Sequence, residues 1–337
     1  MLHDSSTSSS EARARPRGLP SWLAFVLVFG TFVGAEGVTR ARYVPPGRYA
    51  ATLRATDARL GEASREALLF GTCLAKQNLD DELLAGALGP GTRVHTLAAA
   101  GTTSLDWYVG LRDQLGTARV DRVILAYVPG DLVLDATHWQ TQALDLARWA
   151  SVREMAWWNC ASSPLLPGEC VQDLYARKAS FLFRNRNYLA NRVWDGLGAR
   201  WPQRPPAPVA APGTRPPDVV VAPPTTAARA AAQERAALHY LQRFVTVART
   251  ARKPPLFIEL APAPVRVDVN PDRTAYLRRV VRELRVEVVV PSNEGVTFED
   301  DVHVTQAGRV VLTQAVAEAL RTHDVPEENP PAGDAGR

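Results

Sequence analysis

From Leu68 onward the apolar positions of this chain follow two periods in turn. Ala67–Gly71 ("ALLFG") is a continuous apolar run, the pattern of a strand covered on both faces. "DDELLAGAL" then repeats at helical spacing and stops at Gly89-Pro90-Gly91. The alternation continues with strand "RVHTLAAAG", helix "SLDWYVGLRDQL" and strand "VDRVILAYVPGDL". After a long interruption come strand "PPLFIELAPAP", helix "PDRTAYLRRVVREL", strand "VEVVVP" and the closing helix "TQAGRVVLTQAVAEALRTH". Strands alternating with helices predict an α/β fold, a three-layer sandwich around a parallel sheet of about five strands. Ligands in such sheets bind beyond the carboxyl ends of the strands.

The interruption, residues 140–250, is expected to be a helical and Pro-rich insertion. It holds a cysteine-containing loop, an Arg- and aromatic-rich stretch over Phe181–Trp201, and the mobile-looking "WPQRPPAPVAAPGTRPPDVVVAPPTT". "AARAAAQERAALHYLQRFVTVARTA" then predicts a long helix leading into the fourth strand. Residues 1–20, rich in Ser and Arg without apolar periodicity, and the tail 324–337 are expected to be disordered. Between them the core domain is expected over 65–323, preceded by a linker with a short helix over 39–64. Residues 21–38 read as a membrane anchor or a signal peptide. Trp22–Ala35 is apolar and uncharged, and Val33-Gly34-Ala35 fits a small-residue cleavage pattern. Arginines on both sides leave orientation open.

Composition narrows the class. At 337 residues and 46% hydrophobic, the chain can bury a sizeable core. A net charge of +4, supplied by scattered arginines, forms no stripe of the kind nucleic acid needs, so no nucleic-acid partner is expected. Of three cysteines, Cys160 and Cys170 share the Pro- and Gly-containing stretch "WWNCASSPLLPGEC". They read as a disulfide, which requires an oxidising compartment and places the domain on the extracytoplasmic side of an inner membrane. His95, His138 and His239 have no ligand-like spacing and read as surface or packing residues.

The chemistry concentrates at strand ends. Cys73 follows the first strand in "LLFGTCLA", and "FEDDVHVTQAGR" carries Asp300 and His303 three residues apart before the last helix. A carboxylate at that spacing can hold one imidazole nitrogen and leave the other free as a base, half of a nucleophilic triad that Cys73 would complete. Two plainer readings stand beside this one. Cys73 is also a small residue of the kind cores bury, and Asp300 and His303 also suit the cap of a helix. Asp301 is an alternative partner for the histidine.

Gly71-Thr72-Cys73 after the first strand, Gly101 after the second, Val128-Pro129-Gly130-Asp131 after the third and Asp300-x-x-His303 near the end together resemble the SGNH (GDSL-type) hydrolases. The resemblance runs from about residue 65 to 321 with 140–250 as an insertion, and implies a flavodoxin-like sheet. It implies catalytic roles for Cys73, His303 and Asp300, with Cys73 at the family's serine position. It places Gly101 and Gly130 at the oxyanion positions, where Gly130 replaces the family's Asn. A histidine neighbour can draw a thiol down toward thiolate. The implied activity is an extracytoplasmic acyl esterase or O-acyltransferase working on an acylated envelope glycan, beside a multi-spanning acyltransferase. No metal or organic cofactor is implied. The alternative is an inactive scaffold that retains the pocket and anchors an envelope assembly.

Overall fold

The computed structural model describes residues 21–42, 48–133, 143–144, 146–160, 167–180, 227–261, 263, 270–300 and 302–323. The leader 1–20, the tail 324–337, Asp301, His138 and the Pro-rich 201–226 lie outside the described residues. The chain divides into two units, 1–45 and 46–337.

The first unit contains helix α1 (Ser21–Arg42). Its Trp22–Ala35 part carries no charge, and Val28, Phe29, Phe32 and Val33 are exposed. Among the described residues, no helix is long and apolar enough to cross a membrane. At a rise of about 1.5 Å per residue, the uncharged run Trp22–Ala35 amounts to about 21 Å, short of the ~30 Å of a hydrocarbon core.

The second unit opens with α2 (Arg48–Arg59), then β1 (Arg65–Gly71), α3 (Cys73–Asn78), α4 (Asp81–Leu88) and β2 (Thr92–Thr96). Helix α5 (Ser104–Val109) runs without a break into a π-helical turn over Gly110–Leu115. β3 (Arg122–Tyr127) ends in a 3-10 turn, Pro129–Val133. There follow α6 (Trp149–Asn159), α7 (Pro167–Ala179), α8 (Ala227–Ala248), β4 (Leu256–Glu259), α9 (Pro271–Glu283), β5 (Glu287–Val289) and α10 (Gln306–His323).

The five strands are all parallel, in the order β2-β1-β3-β4-β5. This is the expected α/β fold. Side chains alternate across the sheet, which is why both faces are covered. Leu68, Phe70, Val123, Leu125 and Phe257 face one core with α2, α5 and α8. Ala67, Leu69, Ile124, Ala126 and Ile258 face the other, with Leu74 and Ala75 of α3, Leu84 of α4 and Leu312, Val316 and Leu320 of α10.

Two segments take a larger part than the sequence suggests. The 39–64 segment is more than a linker, because Tyr49 and Leu53 of α2 are buried in the first core. α8, at the end of the 140–250 insertion, buries Tyr240, Leu241, Phe244 and Val245, with the Phe244 ring edge-on to Phe70 at 5.3 Å. At about 1.5–3 kcal/mol for each fully buried large apolar side chain, that stripe makes α8 a core helix rather than a lead-in to β4.

Two of the three histidines read as packing residues are held in polar pairs. His95 Nε2 meets Glu66 Oε2 at 2.8 Å, both buried. His239 Nε2 lies 3.2 Å from Glu154 Oε1, and its ring stacks on Trp158 at 4.0 Å. Glu154 of α6 also accepts from Tyr108 Oη at 3.0 Å and Arg112 Nη1 at 2.9 Å. Burial pushes its carboxyl up, but the bonds from His239, Arg112 and Tyr108 outweigh that and hold it at about 2. The Cys160 and Cys170 sulfurs are joined at 2.10 Å, tying α6 to α7, and Cys73 is free.

Candidate active site

In the order β2-β1-β3-β4-β5 the chain reverses its direction of build-up between β1 and β3, the switch point at which ligands bind in open α/β sheets. Cys73 follows β1 there, and Val128–Asp131 follows β3. The two strands approach closely because Gly71 lacks a side chain. At φ +151°, a Cβ on it would lie 2.4 Å from the Ala126 carbonyl and 2.5 Å from Ala75 Cβ.

The turns are then tied together. Thr72 caps α3, its Oγ1 accepting from the Leu74 N–H at 3.4 Å, and donates to Asp131 Oδ2 at 3.0 Å. The Gly71 carbonyl accepts the Ala99 N–H at 3.3 Å and Thr102 Oγ1 at 2.8 Å. Trp107 Nε1 donates to the same Thr102 oxygen at 3.1 Å. The turn carrying Gly101, which has φ +72°, is thereby bound to the turn before Cys73. Thr103 caps α5, its N–H and hydroxyl both donating to Asp106 Oδ2 at 2.9 and 3.0 Å.

Asp300 and His303 form the expected pair. His303 Nδ1 lies 2.7 Å from Asp300 Oδ2, while Asp300 Oδ1 accepts the N–H groups of Val302 and His303 at 2.8 and 2.7 Å. The hydrogen bond from the His303 ring, with those from the two N–H groups, holds the Asp300 carboxyl at about 2, fully ionised at neutral pH. His303 Nε2 is buried and has no hydrogen-bond partner, although 26% of the side chain is solvent-accessible. The pair therefore presents one unengaged basic nitrogen to the interior side of its loop.

Cys73 is half-buried. No hydrogen bond joins its sulfur to His303 Nε2. Burial pushes the thiol up, and the Asp131 carboxylate pushes it further. The N–H groups of Cys73 and Leu74 pull it back, and Asp300 adds a last, smaller rise. The direction corrects the sequence-based expectation of a thiol drawn down toward thiolate. Burial and the Asp131 carboxylate thus favour the thiol form of Cys73.

Gly130, which the sequence resemblance placed at an oxyanion position, is exposed, has an ordinary backbone, and would place a Cβ in open space. It supplies no side-chain donor. Three residues that hold the site were given no role from the sequence: Thr72, Thr102 and Asn78. Asn78 is buried at the end of α3 and reaches the histidine loop. A Thr directly before Cys73 was the one local signal, since Thr before a helix is a cap.

No family model and no curated protein matches the chain. Among solved structures it is similar to one described as a platelet activating factor from Streptococcus pneumonia, at 11% identity and TM-score 0.40, covering 90% of this chain and 98% of that one. It is also similar to the lipase/acylhydrolase from Enterococcus faecalis, at 12% identity and TM-score 0.36, covering 77% and 96%. Similarities of this size do not bear on the chemistry of the site.

Proposed function

We propose that the protein is an ester hydrolase or O-acyltransferase, with Cys73 as nucleophile, His303 as base and Asp300 as the group that orients His303. The observation that carries this reading is the buried, unpartnered His303 Nε2, whose other nitrogen is fixed by an ionised carboxylate. Because Cys73 is a thiol at neutral pH, its proton leaves during the attack and not before it. Nε2 takes that proton as the sulfur adds to the acyl carbonyl, and the N–H groups of Cys73 and Gly101 face the oxyanion. Collapse breaks the ester C–O bond, Nε2 returns the proton to the leaving alkoxide, and a thioester remains. Water or an acceptor hydroxyl then attacks the thioester with Nε2 again as base, releasing acid or new ester and regenerating the thiol.

The substrate class, an acylated envelope glycan, follows from the resemblance alone, as does action beside a multi-spanning acyltransferase. The Cys160–Cys170 disulfide supports a site on the extracytoplasmic side, and the short apolar run Trp22–Ala35 supports delivery there as a signal segment. The test is initial-rate hydrolysis of p-nitrophenyl acetate and an acetylated oligosaccharide, with intact-mass analysis of acid-quenched reactions. Wild type and Cys73→Ser are expected to turn over and to carry one acyl group, while Cys73→Ala and His303→Ala lose turnover. Turnover that survives in Cys73→Ala overturns the triad. If wild type and Cys73→Ser are both inert, the scaffold reading takes its place. The lack of a side-chain donor at Gly130 is the observation that favours that reading.

A further inference from the structure

One buried side chain joins the histidine loop to the helix of Cys73, and the steps above do not use it. Asn78 is the last residue of α3, 2% exposed. Its Nδ2 donates to the Val302 carbonyl at 2.9 Å, and its Oδ1 accepts the Val304 N–H at 3.2 Å. These backbone groups stand on either side of His303. The contacts span 224 and 226 residues of chain, so nothing local requires them. Neighbouring bonds strap the same elements: Arg309 Nε donates to the Leu79 carbonyl at 2.7 Å, and the Asp80 N–H donates to Thr313 Oγ1 at 2.9 Å.

The bonds inside the Asp300–His303 pair are local, between residues no more than three apart. They fix the shape of the loop and which ring nitrogen is engaged. They do not fix where the loop stands relative to α3. A buried amide engaged at both ends does so, because shifting the loop leaves a donor and an acceptor unpaired away from water.

We propose that Asn78 is a positioning residue, holding His303 Nε2 in place beside the Cys73 sulfur and so setting how strongly the imidazole assists the thiol. This rests on the reading of Cys73 as nucleophile and His303 as its base. The measurement is the second-order rate of Cys73 alkylation by iodoacetamide at pH 7 in the full-length, disulfide-intact protein, where Cys73 is the free cysteine. His303→Ala and Asn78→Ala are combined in a double-mutant cycle. His303→Ala is expected to slow alkylation about tenfold in the wild-type background and by less than about twofold beside Asn78→Ala. Asn78→Asp keeps the size and the acceptor for the Val304 N–H but loses the donor to Val302. It is expected to give an intermediate factor, and it carries the test if the Ala variant does not fold by circular dichroism. A merely structural Asn78 lowers the melting temperature and leaves the His303 factor unchanged, which overturns the inference alone. A His303→Ala change without effect in the wild-type background overturns the functional reading, and this inference with it.

Discussion

Asp106→Asn isolates the charge of one carboxyl group buried beside the turn that carries Gly101. Asp106 is 1% exposed, its Oδ2 takes both Thr103 donors, and its Oδ1 is buried without a partner. Burial pushes the carboxyl up to about 7 against the pull of the Thr103 bonds. The folded-state value lies above the ordinary 3.8, so the unfolded chain releases the proton first and stability falls as pH rises from about 4 to 7. At about 1.4 kcal/mol per pH unit, the full penalty above pH 7 is on the order of 4 kcal/mol. Asn reproduces the protonated acid: its oxygen accepts from Thr103, and its amide occupies the place of Oδ1. The variant should match wild type near pH 3 and exceed it increasingly above, the gap widening by about 2–3 kcal/mol between pH 5 and 8. Urea denaturation followed by tryptophan fluorescence at pH 4, 5, 6, 7 and 8 measures the gap directly. A gap that stays constant across that range, or narrows, refutes an ionisation held near 7 at this site.

Gly71→Ala puts a methyl group into the Ala126 carbonyl and Ala75, and is expected to leave no soluble folded protein, checked by expression and circular dichroism. Gly130→Asn enters open space at an ordinary φ. It should change the unfolding free energy by less than about 0.5 kcal/mol and, on the proposed function, raise ester turnover by adding a side-chain donor; an unchanged kcat removes Gly130 from the site. Alkylation of the unreduced protein should label Cys73 alone, read by mass spectrometry, and the rate should still be climbing where an ordinary thiol has levelled off, because this thiol is pushed up. A plateau reached by pH 6 contradicts the charge arrangement around the sulfur.

The strands were legible because a strand buried on both faces is a plain apolar run, as in Leu68–Phe70 and Val123–Ala126. Asp300 and His303 were legible because their interaction is local. What lay hidden depends on partners distant in the chain. The Cys73 thiol is pushed up first by burial and then by Asp131, which arrives from the next strand but one in sequence, so a neighbouring histidine alone gave the wrong direction. Asn78 reads as the polar end of a short helix until α10 and its leading loop close over it. Tyr49 and Leu53 sit among charged residues in a stretch that reads as solvated. They are core residues because Gly110 leaves room, a Cβ there lying 3.0 Å from the Tyr49 hydroxyl and 3.3 Å from Leu53 Cδ1.

The reach of Asn78 also sets the order in which this molecule can acquire its site. Its partners lie 224 and 226 residues downstream, and closing so long a loop has a large entropic cost before any contact compensates it. During vectorial synthesis, β1 and α3 are present long before the loop of His303 emerges. Until then the Asn78 amide and the second hydrophobic face around Ala75 and Ala126 stay open to solvent. A chain stalled before residue 302 can form β1, β2 and β3 and lacks both partners of Asn78. Such a nascent species would be sticky toward chaperones, and the last strand–loop–helix unit ends that condition in one docking step.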